Sequence, residues 1–311
     1  MNNLPEIQPL SEKEAMLQIH AEKRKIELVW YSDTLIWVLK DDWIYQHVRQ
    51  EHRNINQKTF ARPVVRDIDG PDIIALKHIL SADENPLLLD IGCNYGLQAV
   101  RMLRVAKSIG RRPVLKLFDP GIAGKLSLLN LVLNGFDPCD YYHVAVSDID
   151  GYLSVHIVEG QSQDNKIINP GKDPLSLPVR SVTLNNILDN NPGHESAFIK
   201  IDTQGAEFEI FNGFKNSNFR DRFISVMEFF PNGLATRVKP KDFLKSLCNE
   251  FIIYDIGAAR KYAYEVTGKT IDDVFERLNR INPPFTDLIV IAKGITRVDA
   301  LRAQLEQFYR P

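Results

Sequence analysis

From residue 70 onward, short apolar runs alternate with amphipathic helical patterns, and this alternation restricts the fold more than any other feature of the chain. The runs at 87–91, 114–118, 142–146, 197–201, 223–228, 251–254 and 288–291 read as strands, and the stretches at 97–109, 125–133 and 241–249 as helices. Strands separated by helices join through right-handed crossovers. The expected class is therefore α/β, a largely parallel sheet with helices on both faces. Such sheets bind ligands beyond the carboxyl ends of their strands. A further helix, from Gly70 to about Leu80, is apolar on one side and must cover another element.

Two segments stand outside the alternation. Residues 1–69 read as an N-terminal extension: a polar helix over 11–25, strands at 26–31 and 35–39, and a helix opening at Asp41-Asp42, with Trp37 and Trp43 giving it a small core of its own. Residues 70–311 form the main domain. Between its third and fourth strands lies an inserted hairpin at about 151–183, with strands at 152–158 and 179–183; its polar middle, 159–178, reads as either a substrate-facing lid or plain surface.

The 38 basic and 40 acidic residues nearly cancel and form no long block of one sign, so a nucleic-acid partner is not expected. Cys93, Cys139 and Cys248 are too widely spaced for a disulfide framework or a zinc site and suit a reducing compartment. The N-terminus lacks a secretory signal and no run reaches the length of a membrane span, so a cytoplasmic location is expected. The histidines show no metal-ligand spacing, and His143 reads as a core or cofactor-lining residue. Arg101, Arg104 and Lys107 follow helical spacing and read as a solvated face.

The strongest local signal is Leu-Leu-Leu-Asp-Ile-Gly-Cys-Asn-Tyr-Gly at 87–96, a buried strand ending in acid and glycine before a helix. Gly92 and Gly96 allow a sharp turn and a close backbone approach to a ligand. The spacing Asp-x-Gly-x-x-x-Gly differs from the G-x-G-x-x-G that cradles a dinucleotide pyrophosphate. Asp90 would repel a phosphate but suits S-adenosylmethionine, which carries an ammonium and a sulfonium; a plain glycine turn with a capping acid is the alternative. Asp119, after the second strand, is where a carboxylate accepts both hydroxyls of a ribose. Val146 and Ser147, at the end of the third strand, fall near the expected adenine. The fourth strand ends at Asp202 and the fifth at Glu228, on adjacent strand ends. Two carboxylates so placed serve as general base and supporting partner for an alcohol, or as ligands of a divalent metal, for which nothing else in the sequence speaks. A structural acid is the alternative for Glu228.

Together these motifs resemble the FkbM family of S-adenosylmethionine-dependent methyltransferases. The resemblance runs from about Leu87 to Pro231. It rests on Asp-Ile-Gly-Cys-Asn-Tyr-Gly at 90–96, Phe-Asp-Pro with Leu-Asn-Gly at 133–135, Ala-Val-Ser-Asp with Gly151, Ser-Val-Thr-Leu at 181–184, Ile-Asp-Thr-Gln-Gly-Ala-Glu at 201–207 with Asn-Gly-Phe, and Glu228 with Pro231. It implies a Rossmann-like, seven-stranded class I methyltransferase sheet whose last strand is antiparallel. It also implies O-methylation of a sugar, glycan or related small polyol, with Asp90, Gly92, Asn94 and Gly96 lining the methionine end of the cofactor. Asp119 would hold the ribose, with Asp202 and Glu207 near the acceptor. Three positions depart from the family pattern: Asp119, Asn185 and Gln204 stand where the family usually has Glu, Asp and Glu. The last two remove negative charge from the acceptor side and weaken a metal-dependent mechanism. A non-catalytic binding module of the same fold, or a nicotinamide-dependent oxidoreductase, remains as an alternative.

Overall fold

The computed structural model describes residues 8–31, 34–46, 70–156, 166–168, 176–215 and 217–308. In chain order its N-terminal elements are α1 (Glu12–Ala21), β1 (Ile26–Tyr31) and β2 (Thr34–Leu39). There follow α2 (Pro71–Ala82), β3 (Leu87–Ile91), α3 (Leu97–Ser108), β4 (Val114–Phe118), α4 (Leu126–Leu133), β5 (Asp140–Tyr142), β6 (Ala145–Ser147), β7 (Gly151–His156), β8 (Lys166–Ile168) and β9 (Ser176–Thr183). The C-terminal half adds α5 (Leu184–Asp189), β10 (Ala197–Ile201), α6 (Glu207–Asn212), β11 (Phe223–Phe229), α7 (Pro231–Leu234), α8 (Pro240–Glu250), β12 (Ile252–Asp255), β13 (Tyr264–Val266), α9 (Ile271–Leu278), β14 (Thr286–Ile291) and α10 (Val298–Glu306).

Eight strands form the central sheet in the order β13-β12-β14-β11-β10-β3-β4-β5. The strands from β11 to β5 pair in parallel, whereas β14 runs antiparallel to both β11 and β12. This is the expected α/β class, with one strand more than the seven anticipated: β13 pairs antiparallel with β12 at the edge. The middle strands read as uninterrupted apolar runs because helices cover both faces; every residue of β3 and β10 is buried.

The third expected strand, 142–146, is two strands. The Tyr142 carbonyl accepts from Val144 N–H (2.9 Å) and Asp119 N–H (3.2 Å), which turns the chain tightly between β5 and β6. β5 stays on the main sheet, while β6 joins a second sheet of order β6-β9-β7-β8. That sheet is the inserted hairpin, and most of its expected polar middle lies outside the described residues.

The extension does not have a core of its own. Ile19, Ile36, Val38 and Leu39 share one with Tyr95, Ala123 and Leu126 of the main domain, while Trp43 is 42% exposed and Trp37 is only packed against that core. The fully buried Asn130 on α4 pins it: Oδ1 accepts from Trp37 N–H (2.6 Å), and Nδ2 donates to the carbonyls of Trp37 (3.1 Å) and Tyr95 (2.9 Å). Asn134 Nδ2 adds a bond to the Leu35 carbonyl (2.8 Å). The row expected to be solvated does related work. Arg101 pairs with Asp72 on α2, and Arg104 donates to Thr34 and Asn134 (both 3.0 Å), so only Lys107 is exposed. Helical periodicity registers a polar face without registering which neighbour satisfies it.

Replacing Asn130 with Ala orphans buried backbone groups of Trp37 and Tyr95. The expected loss is about 2–3 kcal/mol in urea unfolding, with hydrogen exchange accelerated first in β2.

Candidate active site

The register of four parallel strands builds the site. Phe118, Ile91, Ile201 and Met227 are successive partners across β4, β3, β10 and β11. The residues that follow them, Asp119, Gly92, Asp202 and Glu228, therefore form a row at the carboxyl ends of the sheet. The row spans the point where strand order reverses, since the chain leaves β3 toward β4 on one side and reaches β10 on the other. Gly92 is essential to its spacing: with φ +76°, a Cβ there would lie 1.9 Å from the Asp202 carbonyl oxygen.

Above the row opens a cavity of about 740 Å³. Phe118, Val144 and Val146 give it an apolar end, and Asp202, Gln204 and Glu228 a polar one. Rings of Tyr31, Trp43, Phe230 and Phe285 also line it. The described lining residues include three carboxylates and no lysine, arginine or histidine.

Asp119 is fixed before any ligand arrives: Oδ2 accepts from Asn94 N–H (2.8 Å) and Oδ1 from Gly121 N–H (2.6 Å). Burial nonetheless pushes its carboxyl up to about 6 against those two donors. Beneath the row, the buried Lys200 donates to Asp202 Oδ2 (3.3 Å) and to the Ile201 carbonyl (3.2 Å). Burial works against its charge, but Asp202 and Asp287 outweigh this and raise its pKa. Glu228 is half-buried, and burial together with the neighbouring Asp202 pushes it up to about 9, so it keeps its proton at neutral pH. Gln204 Nε2 donates to both carboxylates, at 3.2 Å to Asp202 and 2.8 Å to Glu228.

Of the residues expected from sequence, Gly92, Asn94, Asp119, Val146, Asp202 and Glu228 line the cavity. Asp90, Gly96 and Ser147 do not. Asp90 lies under the floor, 1% exposed, opposite Lys200 in the register, and burial pushes it up to about 7 against the pull of that lysine. Gly96 caps the start of α3. Ser147 Oγ turns to the Asp148 carboxylate (3.1 Å). Glu207, expected near the acceptor, is fully buried and holds the 203–205 turn. Asn185 is no part of the wall, so among the two acceptor-side departures only Gln204 reaches the site. His143 lies off the wall as well; burial and the nearby Lys125 lower it to about 4.

Tyr31, Trp43, Pro283 and Phe285 were missed because they come from segments distant in sequence. Lys200 did carry a signal: a lone lysine within the apolar run Ala-Phe-Ile-Lys-Ile has no polar face to occupy.

The model of the methyltransferase FkbM domain matches residues 85–251, more than half of the 311-residue chain. The chain belongs to the FkbM methyltransferase family. This match agrees with the motifs at 90–96 and 201–207, which both fall within it. Among solved structures the chain is similar to the precorrin-6y C5,15-methyltransferase of Geobacter metallireducens GS-15. Identity is 11% and the TM-score 0.35, over 76% of this chain and 92% of that one, a likeness too distant to bear on activity. A search of curated proteins finds no match. In this FkbM chain no helix among the described residues is long and apolar enough to cross a membrane.

An acid whose folded-state pKa is raised binds more protons when folded than when unfolded, between its unfolded and folded values, so stability falls as pH rises through that window. For Glu228 the window runs from 4.5 to about 9. Thermal melts should therefore drop in midpoint from pH 5 to pH 9, and Glu228→Gln should flatten that slope.

Proposed function

We propose that this chain is an S-adenosylmethionine-dependent O-methyltransferase that acts on a hydroxyl of a sugar, glycan or related small polyol. The observation that carries the reading is the acid row under one cavity, with Asp119 at one end and Asp202 and Glu228 at the other.

The lining suits that cofactor. Carboxylates without basic partners among the described lining residues favour a ligand that carries an ammonium and a sulfonium, and they disfavour the pyrophosphate of a nicotinamide dinucleotide. Asp119 would hold the ribose, since each carboxylate oxygen keeps acceptor capacity beyond its one backbone bond. Phe118, Val144 and Val146 would flank the adenine, and Gly92 and Asn94 would meet the methionine portion. When bound, the cofactor supplies a methyl group already activated on a positively charged sulfur.

What remains for the protein is alignment, water exclusion and management of one proton. Asp202 orients the acceptor hydroxyl and takes its proton, while Glu228, protonated at neutral pH, supports the acceptor by hydrogen bonding. The rings of Trp43, Phe230 and Phe285 offer apolar faces to the C–H surface of a sugar.

Calorimetric titration with S-adenosylmethionine and S-adenosylhomocysteine, with NADH as control, tests the cofactor. Binding of the first two and not the third is expected, weakened about tenfold or more in Asp119→Ala as charge-assisted hydrogen bonds are lost. Asp202→Asn should retain S-adenosylhomocysteine binding while turnover on an acceptor falls by about 100-fold or more. Unchanged turnover would remove Asp202 from the chemistry.

A further inference from the structure

Between β10 and α6 the chain makes a turn that places Gln204 in the left-handed region, φ +56°, which is uncommon for a residue with a long side chain. The surroundings hold it there. The buried Glu207 Oε1 accepts from Thr203 N–H (3.2 Å), Thr203 Oγ1 (2.9 Å) and Gly205 N–H (3.2 Å). Arg237 donates to the Gly205 carbonyl (2.9 Å), and Gly205 packs so closely on Gly233 that a Cβ would come within 2.7 Å of its backbone. An unfavourable backbone so thoroughly braced points to a use for the side chain it carries. That side chain reaches over the strand ends, and its Nε2 sits between Asp202 Oδ1 and Glu228 Oε2.

We propose that Gln204 is the positioning residue of the site: its amide nitrogen fills the bridging place between the two carboxylates that a divalent cation would otherwise take, and fixes them as a metal-independent pair. A cation shared by two carboxylates lies about 2.0–2.6 Å from an oxygen of each. Here those same two oxygens are 3.2 and 2.8 Å from one nitrogen, whose two protons satisfy both. The opposite orientation of the amide would set its oxygen against two carboxylate oxygens and is electrostatically unfavourable. With Gln204 on Oδ1, Asp202 keeps Oδ2 for Lys200. The groups facing the pair are Lys200 on β10, Asp287 on β14 with Arg260 behind it (2.6 Å), and Glu207 on α6.

The inference deepens the methyl-transfer reading and rests on it only for the proton's destination. In the transfer the acceptor hydroxyl gives its proton to Asp202, its oxygen bonds the methyl carbon, and the electron pair of the broken C–S bond stays on sulfur.

The test titrates manganese(II) into the full-length chain, followed by electron paramagnetic resonance, for the wild type, Gln204→Glu, Glu228→Gln and the double variant, each verified as folded by circular dichroism. The wild type should leave the free-ion spectrum unchanged. Gln204→Glu, which brings a third carboxylate to the bridge, should take up one ion and lose it when Glu228→Gln is added. Stoichiometric uptake by the wild type that Glu228→Gln abolishes, or no uptake by folded Gln204→Glu, would overturn the proposal. A second readout is the carbon-13 resonance of the Glu228 carboxyl, assigned with Glu228→Gln. Because an amide donor favours the ionised form, Gln204→Ala should raise its titration midpoint by about half a pH unit or more; an unchanged midpoint would count against the bridge. Titrating S-adenosylhomocysteine into the same samples reports separately on the methyltransferase reading, since a chain that binds none fails that reading while the manganese and carboxyl results still stand or fall alone.

Discussion

A single buried ammonium underlies the site. Lys200 lies in the middle of the sheet, 2% exposed, opposite Asp90 in the register and 3.3 Å from Asp202. Asp90, Asp202 and Glu228 around it would otherwise bring several carboxyl groups into a region of low polarity, where each charge makes the next more costly. One lysine cannot hold all of them ionised, and the raised values of Asp90 and Glu228 express that deficit. Behind Lys200 the charge continues through Asp287, Arg260 and Asp72 to Arg101, linking β14, the loop after β12, α2 and α3. The floor of the cavity is thus an ion network that spans several covering elements, so strand ends and helices are held in one electrostatic arrangement.

The same economy applies on the other side of the cavity. Asn130 joins the β1–β2 hairpin to α4 and to the loop that follows β3, so Tyr31 and Trp43 reach the cavity from an extension anchored next to the glycine turn. Leu39 N–H, donating to the Tyr95 hydroxyl (3.3 Å), ties that loop from the other direction. A displacement of the hairpin would therefore move both the aromatic wall and the loop that carries Asn94. The extension is structurally part of the site, even though sequence reading treats it as an appendage with its own small core.

What was legible in the sequence follows from burial. β3, β10 and β11 are covered on both faces, so they read as apolar runs with sharp ends, and the acids and glycine just beyond those ends fell into one row once the strands were taken as parallel. Three kinds of feature were not legible. The break between β5 and β6 depends on where the Tyr142 carbonyl finds its donors, which no periodicity encodes. Arg101 and Arg104 have the spacing of a solvated face, yet carboxylate, hydroxyl and amide groups from other elements cover them. Asn185 and Gln204 look alike as departures from a family pattern, but only the turn geometry carries the second into the cavity.

The two ends of the cavity are prepared in different ways. At the Asp119 end, both carboxylate oxygens are already held by backbone N–H groups, so the acid cannot swing and little ordering is left for a ligand to impose. At the Asp202 end, one amide and one ammonium divide the carboxylate oxygens between them, and Asp202 itself remains 37% exposed toward the cleft. Fixed dipoles of this sort act on a reacting group without reorganising as charge moves, and they act more strongly where water is excluded. The rim that would exclude it is drawn from the hairpin, from Phe230 after β11 and from Phe285 before β14. Since those segments lie outside the central parallel strands, the shape of the acceptor end can vary while the acid row and its buried lysine stay fixed. On this fold, discrimination between acceptors then belongs to the rim, and the handling of the proton to the floor.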